Sequence, residues 1–212
     1  MDIKQQIISY IKRNRVSTTE IADCLGKTGA IKNVFAINKS LFKVGTVRWV
    51  YAKDESNWSV HDQIRQCKED EVVIIEPFNC GNRAIIGELV AKYLLLYKQA
   101  AAIVVMGKVR DAHKLIKENY AIWSEGFNPE GCFNVKTEEL DRNLYDHKMS
   151  TYNGAIAICD DCGVVVIPQE LHTYEFLKKL EDIEKQEDIW FDCLDRRKWD
   201  TFDIVCLKKY KD

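Results

Sequence analysis

The sequence lacks the features that mark membrane, secreted and disordered proteins. It has only three prolines and ten glycines in 212 residues, too few for a long low-complexity linker. No apolar run approaches the length of a membrane span, and the first residues do not follow the basic-then-apolar pattern of a signal peptide. We therefore expect a compact cytoplasmic protein that has no membrane partner.

The charge is nearly balanced, with 33 acidic and 31 basic side chains and a net charge of −2. Such a chain has no overall positive field, so we expect no nucleic-acid partner. The histidines at positions 61, 113, 147 and 172 are far apart in sequence and show no pairing typical of a metal site or a Ser-His-Asp triad. His113 is expected at the surface.

The eight cysteines are scattered rather than densely spaced, which favours reduced thiols. Cys159 and Cys162 form the one close pair, but a zinc ribbon needs a second pair or histidines at matching spacing. Apolar residues flank this pair on both sides, and Asp160 and Gly163 suit a tight turn. We predict a β-hairpin here rather than a metal site.

The first 44 residues predict an N-terminal helical segment. Isoleucines at positions 3, 7, 8 and 11 have helical spacing, and Ser17 to Glu20 is a capping-box pattern that opens a second short helix. A helix followed by such a start is also typical of a DNA-binding winged helix. However, residues 31–37 and 45–51 are more strand-like than a recognition helix, which disfavours that alternative.

From residue 45 the pattern alternates between strand and helix, which predicts a sheet covered by helices in a single domain over residues 1–212. Predicted strands cover 46–52, 71–76, 101–106, 121–124 and a pair within 154–168. Predicted helices cover 60–67, 88–98, 111–120 and 174–187, the last within a C-terminal helical extension over 172–212.

The most informative stretch is an apolar run that reaches Gly107 and is followed by Arg110 and Asp111. Gly87 and Glu88 open the helix-like segment that leads into this strand, and main-chain N–H groups at such a start can hold an anion. Carboxylates beside them could bind a metal. The structural alternative is that Asp111 only caps the next helix.

Four blocks of the sequence carry a further signal: Gly87-Glu-Leu-Val-Ala91, Gly107 to Asp111, Trp123-Ser-Glu-Gly-Phe-Asn-Pro129, and Ala157 to Pro168. Together they resemble successive blocks of the RraA-like family, and the early block from Ser17 to Gly26 is similar as well. The family takes its name from the regulator of ribonuclease E activity. It includes the metal-dependent 4-hydroxy-4-methyl-2-oxoglutarate/4-carboxy-4-hydroxy-2-oxoadipate aldolases.

The resemblance implies a single swivelling α/β/α domain with a mixed sheet, assembled as a trimer or a dimer of trimers with active sites near subunit interfaces. It implies that Asp111 binds a divalent cation, Mg²⁺ or Mn²⁺, directly and that Glu88 reaches the cation through water. Arg110 would bind a 2-oxo acid substrate. The implied substrate-binding set is completed by the segment that would face the substrate carboxylate: Gly87, Glu88, Leu89 and Val90.

Two residues depart from the aldolase pattern. Met106 stands where the enzymes carry an aspartate, and a thioether is a poor ligand for a hard cation. Lys114 stands where they carry an acid, which adds a positive charge near the proposed metal. The spacing between Glu88 and Arg110 is also one residue longer than in the family. The pattern does not identify the acid that a neighbouring subunit supplies in the aldolases.

Two hypotheses of function remain open. The first is a divalent-metal-dependent lyase that cleaves a pyruvate-derived 2-oxo acid by retro-aldol chemistry or decarboxylation, and the retained Arg-Asp pair favours it. The alternative is a non-catalytic RraA-like regulator that binds a protein partner, for example an RNA-processing enzyme. The two departures favour the regulator, and Trp190, Phe191 and Trp199 in the C-terminal extension are typical of a contact surface.

Overall fold

The structure, a computed structural model, describes residues 2–211, so the first and last residues of the predicted domain lie outside it. Its centre is a mixed eight-stranded β-sheet. The strands are β1 (Phe35–Ala36), β2 (Lys43–Lys53), β3 (Glu71–Phe78), β4 (Ala84–Ile86), β5 (Ala102–Val109), β6 (Ile122–Phe127), β7 (Ile156–Asp160) and β8 (Gly163–Ile167).

Seven α-helices accompany the sheet in the described part of the chain. They are α1 (Ile3–Asn14), α2 (Thr18–Cys24), α3 (Trp58–Gln63), α4 (Glu88–Lys92), α5 (Ala112–Lys117), α6 (Arg142–Tyr152) and α7 (Tyr174–Asp195). Short 3₁₀ helices cover Ile64–Gln66, Gln169–Leu171 and Lys209–Lys211, and π turns cover Tyr93–Tyr97 and Phe202–Cys206. The described part of the predicted C-terminal extension is therefore largely helical.

The strand order is β1-β6-β5-β3-β2-β7-β8, and β4 pairs with the carboxyl end of β5. The sheet is parallel through the neighbouring strands β2, β3, β5 and β6. It is antiparallel at the pairs β1–β6, β2–β7 and β7–β8. The two sheet edges approach each other, since Ala30 bridges Val165 and Ile31 N–H donates to Val164 O at 2.9 Å. This mixed, nearly closed sheet with helices confirms the predicted α/β class.

Alternation along the strands divides the apolar core into one inner and two outer clusters. In β2, Trp49 belongs to the inner cluster, whereas Val50 packs with α3, α4 and α5 in the first outer cluster. The second outer cluster lies between the β7–β8 hairpin and helices α1, α2 and α7. Successive strand residues point to opposite faces, so the nearly continuous apolar strands supply both sides of the sheet.

The N-terminal helices belong to this packed structure. Ile7 of α1 and Ile21 of α2 are fully buried against β7, β8 and α7. The predicted capping box is present, with Ser17 Oγ accepting from Glu20 N–H at 3.2 Å. After α2 the chain joins the sheet through β1, and there is no helix between α2 and β2. The winged-helix alternative is therefore wrong, and β1 and the start of β2 occupy the end of the segment predicted as helical.

Several elements differ from the sequence prediction. β5 does not stop at Gly107 but continues to Val109, because it pairs there with both β4 and β6. The helix predicted over 88–98 is α-helical only to Lys92 and ends in a π turn. The pattern does not predict β4 or α6, since three residues are too few for a period and α6 has no fully buried side chain.

The predicted hairpin is confirmed, with Asp160 of β7 opposite Gly163 of β8. The helix predicted to begin at residue 174 is also confirmed, but it continues to Asp195. Among the helices of residues 2–211, none combines the length and the apolar character needed to cross a membrane.

Candidate active site

The candidate site lies where β4 and β5 end side by side. The strands are parallel, Ile86 pairs with Val109, and Arg110 N–H donates to Ile86 O at 3.0 Å. Because the carboxyl ends of parallel strands share one edge, Gly87 becomes a neighbour of Arg110 and Asp111. Pairing of the two strands thus joins residues that are separated along the chain by α4, a π turn and the whole of β5.

Asp111 does not act as a helix cap through its side chain. It occupies the N-cap position of α5, but its backbone is left-handed (φ 62°, ψ 35°) and its carboxylate makes no capping hydrogen bond. Instead, Asp111 Oδ2 accepts a hydrogen bond from Glu88 N–H at 2.9 Å. Aspartate is among the residues that tolerate this conformation. The backbone therefore directs the carboxylate towards the start of α4.

The Arg110 side chain passes between two glycines. A Cβ atom on Gly87 would lie 2.2 Å from Asp111 Oδ2 and 2.9 Å from Arg110 Cγ, and one on Gly131 would lie 2.4 Å from Arg110 Nη1. Arg110 Nε is 3.9 Å from Asp111 Oδ2, and the two side chains are 50% and 43% exposed. Close backbone contact thus positions the guanidinium while it remains open to solvent.

A cavity of about 430 Å³ opens beside this pair, a size that suits a small organic ligand. Its walls come from the start of α3, the β4–α4 junction, the Arg-Asp pair and the chain that follows β6. The lining residues are Asn57, Trp58, His61, Ala84, Ile85, Ile86, Gly87, Leu89, Val90, Arg110, Asp111, Cys132 and Asn134.

The α3 wall is fixed by a buried asparagine. Asn57 Nδ2 donates to Ile85 O at 2.9 Å, and Asn57 Oδ1 accepts from Asn134 Nδ2 at 2.6 Å. These bonds place the half-exposed Trp58 and the exposed His61 at the cavity. Sequence reasoning missed this wall because its residues form no motif. Their partners lie in other segments, so only the folded chain shows the site.

Comparison with known proteins bears directly on this arrangement. A family model described as "RraA-like: Aldolase/RraA" matches residues 18–166, which is more than half of the chain. The chain belongs to the RraA-like family. The resemblance inferred from the sequence blocks is therefore confirmed. The family includes both aldolases and non-catalytic inhibitors of RNase E, so membership alone leaves the activity open.

Solved structures share the fold of this RraA-like chain. An uncharacterised protein from Pseudomonas syringae pv. tomato is similar over 92% of this chain and 94% of its own, with 19% identity and a TM-score of 0.69. RraAS2 from Streptomyces coelicolor, an RraA-family protein, is similar over 86% and 95%, with 19% identity and a TM-score of 0.67. The RNA-processing inhibitor RraA from "Thermus thermophilis" is similar over 71% and 92%, with 21% identity and a TM-score of 0.58.

The remaining predicted site residues of this RraA-like chain lie around the same junction. Glu88 gives its main-chain N–H to Asp111, but it is not one of the described residues that line the cavity. Leu89 and Val90 do line it, and Leu89 is 79% exposed. The role of Glu88 as a water-mediated metal ligand stays a prediction.

The departures from the aldolase pattern occupy different environments. Met106 is partly buried against the inner cluster, whereas the cavity residues Ile85 and Ile86 belong to the first outer cluster on the other face of the sheet. Its thioether therefore packs as a core side chain. Lys114 is exposed, and its N–H donates to Asp111 O at 2.9 Å in the first turn of α5. His113 is exposed, as expected.

The donor groups fit a hydrated hard cation rather than an enclosed metal. Within residues 2–211, no group of three or more His, Cys, Asp or Glu side chains could hold a metal ion. Mg²⁺ commonly keeps several waters and uses only one or two protein carboxylates. Asp111 offers such a carboxylate, with one oxygen fixed by Glu88 N–H. This single open carboxylate fits the donor set that a hydrated Mg²⁺ or Mn²⁺ uses, and the cation itself stays a prediction.

Proposed function

We propose that this protein is a cytoplasmic, divalent-metal-dependent lyase that acts on a pyruvate-derived 2-oxo acid. The observation that carries the proposal is the clamped pair at the cavity. Arg110 is held between Gly87 and Gly131, and the Asp111 carboxylate is turned away from its own helix. A cation-binding carboxylate beside a positioned guanidinium matches the two charges that a metal-bound 2-oxo acid requires.

Arg110 would bind and orient the substrate carboxylate. A guanidinium offers two parallel N–H donors, and its approach to Gly131 restricts its orientation. The amides of Leu89 and Val90 add to this binding. The first main-chain hydrogen bond of α4 runs from Ala91 N–H to Gly87 O, so these amides precede the intrahelical pattern. Glu88 N–H instead donates a hydrogen bond to Asp111 Oδ2.

Asp111 would hold the cation through Oδ1, since Oδ2 accepts the hydrogen bond from Glu88 N–H. When bound, Mg²⁺ or Mn²⁺ would polarise the 2-oxo carbonyl and stabilise the negative charge of the enolate. Glu88 is proposed to act on the cation through water. Ile85 and Ile86 add apolar surface to the cavity wall.

In the retro-aldol reaction a 4-hydroxy-2-oxo acid loses its hydroxyl proton as the bond between carbons 3 and 4 breaks. The electron pair of that bond passes to the 2-oxo group, which gives an enolate and a carbonyl product, and a proton returned to carbon 3 completes pyruvate. We propose the imidazole of His61, on the cavity wall, as a group that can transfer a proton here. Decarboxylation of an oxaloacetate-like acid yields the same enolate.

Titration calorimetry with Mg²⁺ or Mn²⁺ and oxalate, a planar mimic of the pyruvate enolate, tests the site. Wild type is expected to bind oxalate only when the cation is present, and Asp111→Asn is expected to lose this binding. Asparagine also tolerates the left-handed backbone, so the change removes mainly the charge. The matched control is Asp70→Asn, because Asp70 is also left-handed (φ 61°) and exposed. Equal binding by wild type and Asp111→Asn would contradict the proposal.

The reaction is tested by pyruvate release from 4-hydroxy-2-oxo acids and from oxaloacetate. Because divalent cations decarboxylate oxaloacetate slowly without protein, the rate is compared with the same cation alone. We expect a protein-dependent rate that EDTA removes and that Asp111→Asn lacks. Cation-dependent oxalate binding without any turnover would retain the site but reject the lyase.

We also propose that the protein assembles as a trimer or a dimer of trimers, with a neighbouring subunit at the cavity. Leu89 (79% exposed) and Trp58 (48% exposed) both lie on the cavity wall, and adjacent exposed apolar side chains favour a covering partner. Light scattering after size exclusion would give the mass of the assembly. The replacement Leu89→Ser is expected to weaken the assembly. A monomeric wild type would contradict the proposed trimer.

The second candidate function is a non-catalytic regulator that binds a protein partner. The observation that favours it is a set of exposed apolar side chains in the C-terminal extension, beyond the residues matched by the family model. They are Phe191 (61% exposed), Phe202 (60%) and Leu207 (51%). Capture of a stoichiometric partner in EDTA, lost on Phe191→Ser and retained in Asp111→Asn, would support the regulator over the lyase.

A further inference from the structure

Two cysteines from separate segments meet at the wall of the cavity. Cys80 follows β3 and is buried, whereas Cys132 follows β6 and is partly exposed at the cavity. Both side chains pack in the first outer cluster with their thiols next to each other, and both are reduced in this structure. Cys80 Sγ donates to Phe78 O at 3.5 Å. Neither cysteine belongs to a motif visible in the sequence.

The main chain holds these two segments together. Glu55 N–H donates to Asn79 O at 3.0 Å, next to Cys80, and Phe133 N–H donates to Glu55 O at 2.8 Å, next to Cys132. Both cysteines are thus adjacent to a residue that is hydrogen-bonded to the main chain of Glu55. Backbone pairing therefore brings the two segments together, and the side-chain rotamers set the distance between the sulfurs.

Further bonds extend this pairing towards β4. Cys132 N–H donates to Ala84 O at 3.0 Å, and Ala84 N–H donates to Glu130 O at 2.7 Å. Arg83 Nη1 donates to Gly131 O at 3.1 Å. Residues 130–133 therefore form an added strand-like edge along β4, held by these hydrogen bonds and by the packing of Cys132 against the first outer cluster.

The environment of Cys80 differs from that of Cys67, which is buried, and of Cys24, which is partly exposed. The hydrogen bond from the Cys132 thiol lowers the pKa of Cys80, although burial opposes the shift. Burial instead raises the pKa of Cys67 to about 12 and that of Cys24 to about 11. The thiolate is the reactive form of cysteine, so the direction of this pKa shift favours reaction at Cys80.

The Cys132 segment also positions Arg110. Gly131 lies directly before Cys132, and the Arg110 guanidinium lies against it, with Nη1 only 2.4 Å from the place that a Cβ would occupy. A covalent bond at Cys132 would therefore restrict the wall against which Arg110 is held.

We propose that Cys80 and Cys132 form a reversible disulfide, made by hydrogen peroxide, that fixes residues 130–133 beside Arg110. Peroxide that enters the cavity is attacked by one thiolate sulfur. Its O–O bond breaks, leaving a sulfenic acid and a hydroxide that takes up the thiolate's proton as water. The second thiol attacks the sulfenic sulfur, the S–S bond forms, and a second water leaves. The two thiols lose two electrons and two protons, and peroxide is reduced to two waters.

The bond is tested by peptide mapping of the full-length protein. The reduced chain is exposed to graded hydrogen peroxide, blocked with N-ethylmaleimide, and digested without reductant. We expect a peptide joining Cys80 to Cys132, a mass loss of two hydrogens, and full reversal by dithiothreitol. The matched control is Cys162→Ser, which removes an exposed thiol on the β7–β8 turn and should leave the bond unaffected. Cys132→Ser should abolish it.

The bond assignment is overturned if peroxide oxidises the exposed Cys162 and Cys206 at a dose that leaves Cys80 and Cys132 unlinked. This mapping needs only wild type, so poor folding of a variant does not affect it. Hydrogen exchange tests the effect on the wall. Oxidised wild type should exchange the amides of Cys132 and Phe133 at least several-fold more slowly than reduced protein, and equal exchange would reject the fixing of the segment. Neither readout depends on a ligand or on lyase activity.

Discussion

Two charged pairs on opposite faces of the sheet have contrasting environments. The first, the Arg110 pair, joins Arg110 to Asp111 across 3.9 Å, and both side chains are about half exposed. The second, the Glu76 pair, joins Glu76 of β3 to Lys148 of α6, with side chains only 11% and 22% exposed. Trp49 Nε1 also donates to Glu76 Oε2 at 3.0 Å.

The charges of the Glu76 pair are balanced by each other within the inner cluster. The Lys148 ammonium lies 5.8 Å from the Phe78 ring centroid and 5.6 Å from that of Tyr152, so aromatic faces replace part of its hydration. The two charges of the Arg110 pair lie 3.9 Å apart, and their positions are set by Gly87, Gly131 and the hydrogen bond from Glu88 N–H. Burial with full pairing marks a structural pair, whereas backbone positioning with open donors marks a pair available to a ligand.

Breaking the Glu76 pair should have the largest effect. Lys148→Met leaves a buried carboxylate without its cation, and loss of one partner of a buried pair costs about 3–5 kcal/mol of unfolding free energy. Urea unfolding measures this loss. The double variant with Glu76→Gln should regain most of it, because the amide oxygen still accepts from Trp49. Unchanged stability in Lys148→Met would show that the pair is not structural.

Crowding the Arg110 pair should reduce ligand affinity next. In Gly87→Ala the new methyl group displaces the Asp111 carboxylate, and loss of such positioning contacts typically reduces metal affinity about 10- to 100-fold. Calorimetry with Mg²⁺ and oxalate gives the value. The control Gly107→Ala crowds Pro77 Cγ at 3.0 Å instead, and its new methyl group comes no closer than 3.5 Å to the cavity residue Ile85. Equal losses in both variants would attribute the effect to general strain.

The same chemical change made at the Arg110 pair should barely affect stability. Arg110→Met removes a half-exposed cation, and exposed ion pairs contribute about 0–1 kcal/mol. We therefore expect its urea midpoint to stay near that of wild type while oxalate binding falls. A destabilisation similar to that of Lys148→Met would erase the proposed distinction between the two pairs.

The smallest expected effect is the contribution of His172 to the pH dependence of stability. Burial lowers the pKa of His172 below 6.5, the nearby Lys4 lowers it further, and a backbone hydrogen bond to Ile167 opposes the shift. The unfolded chain takes up the proton more readily, so this contribution to stability is complete above pH 6.5 and decreases as the pH falls below it. The melting temperature of His172→Gln should therefore depend less on pH than that of wild type between about pH 5 and 7.5. A steeper dependence in the variant would reverse the assigned sign.

The sequence predicts a large part of this fold because its signals are local. The helical spacing of the first isoleucines, the capping box at Ser17 and Glu20, and the apolar strands each depend on residues close in the chain. Strand β4 is missed because its three residues take their conformation from pairing with β5. Helix α6 is missed because it is amphipathic only weakly and buries no side chain fully.

The candidate site divides in the same way. The sequence by itself determined that Gly87, Arg110 and Asp111 belong to one family motif set, since each block is contiguous. Only the tertiary structure decided that Asp111 faces α4 rather than capping α5, that Gly131 holds Arg110, and that Cys80 meets Cys132. These contacts join segments that sequence spacing does not relate, because sheet pairing and loop packing, not local propensity, bring them together.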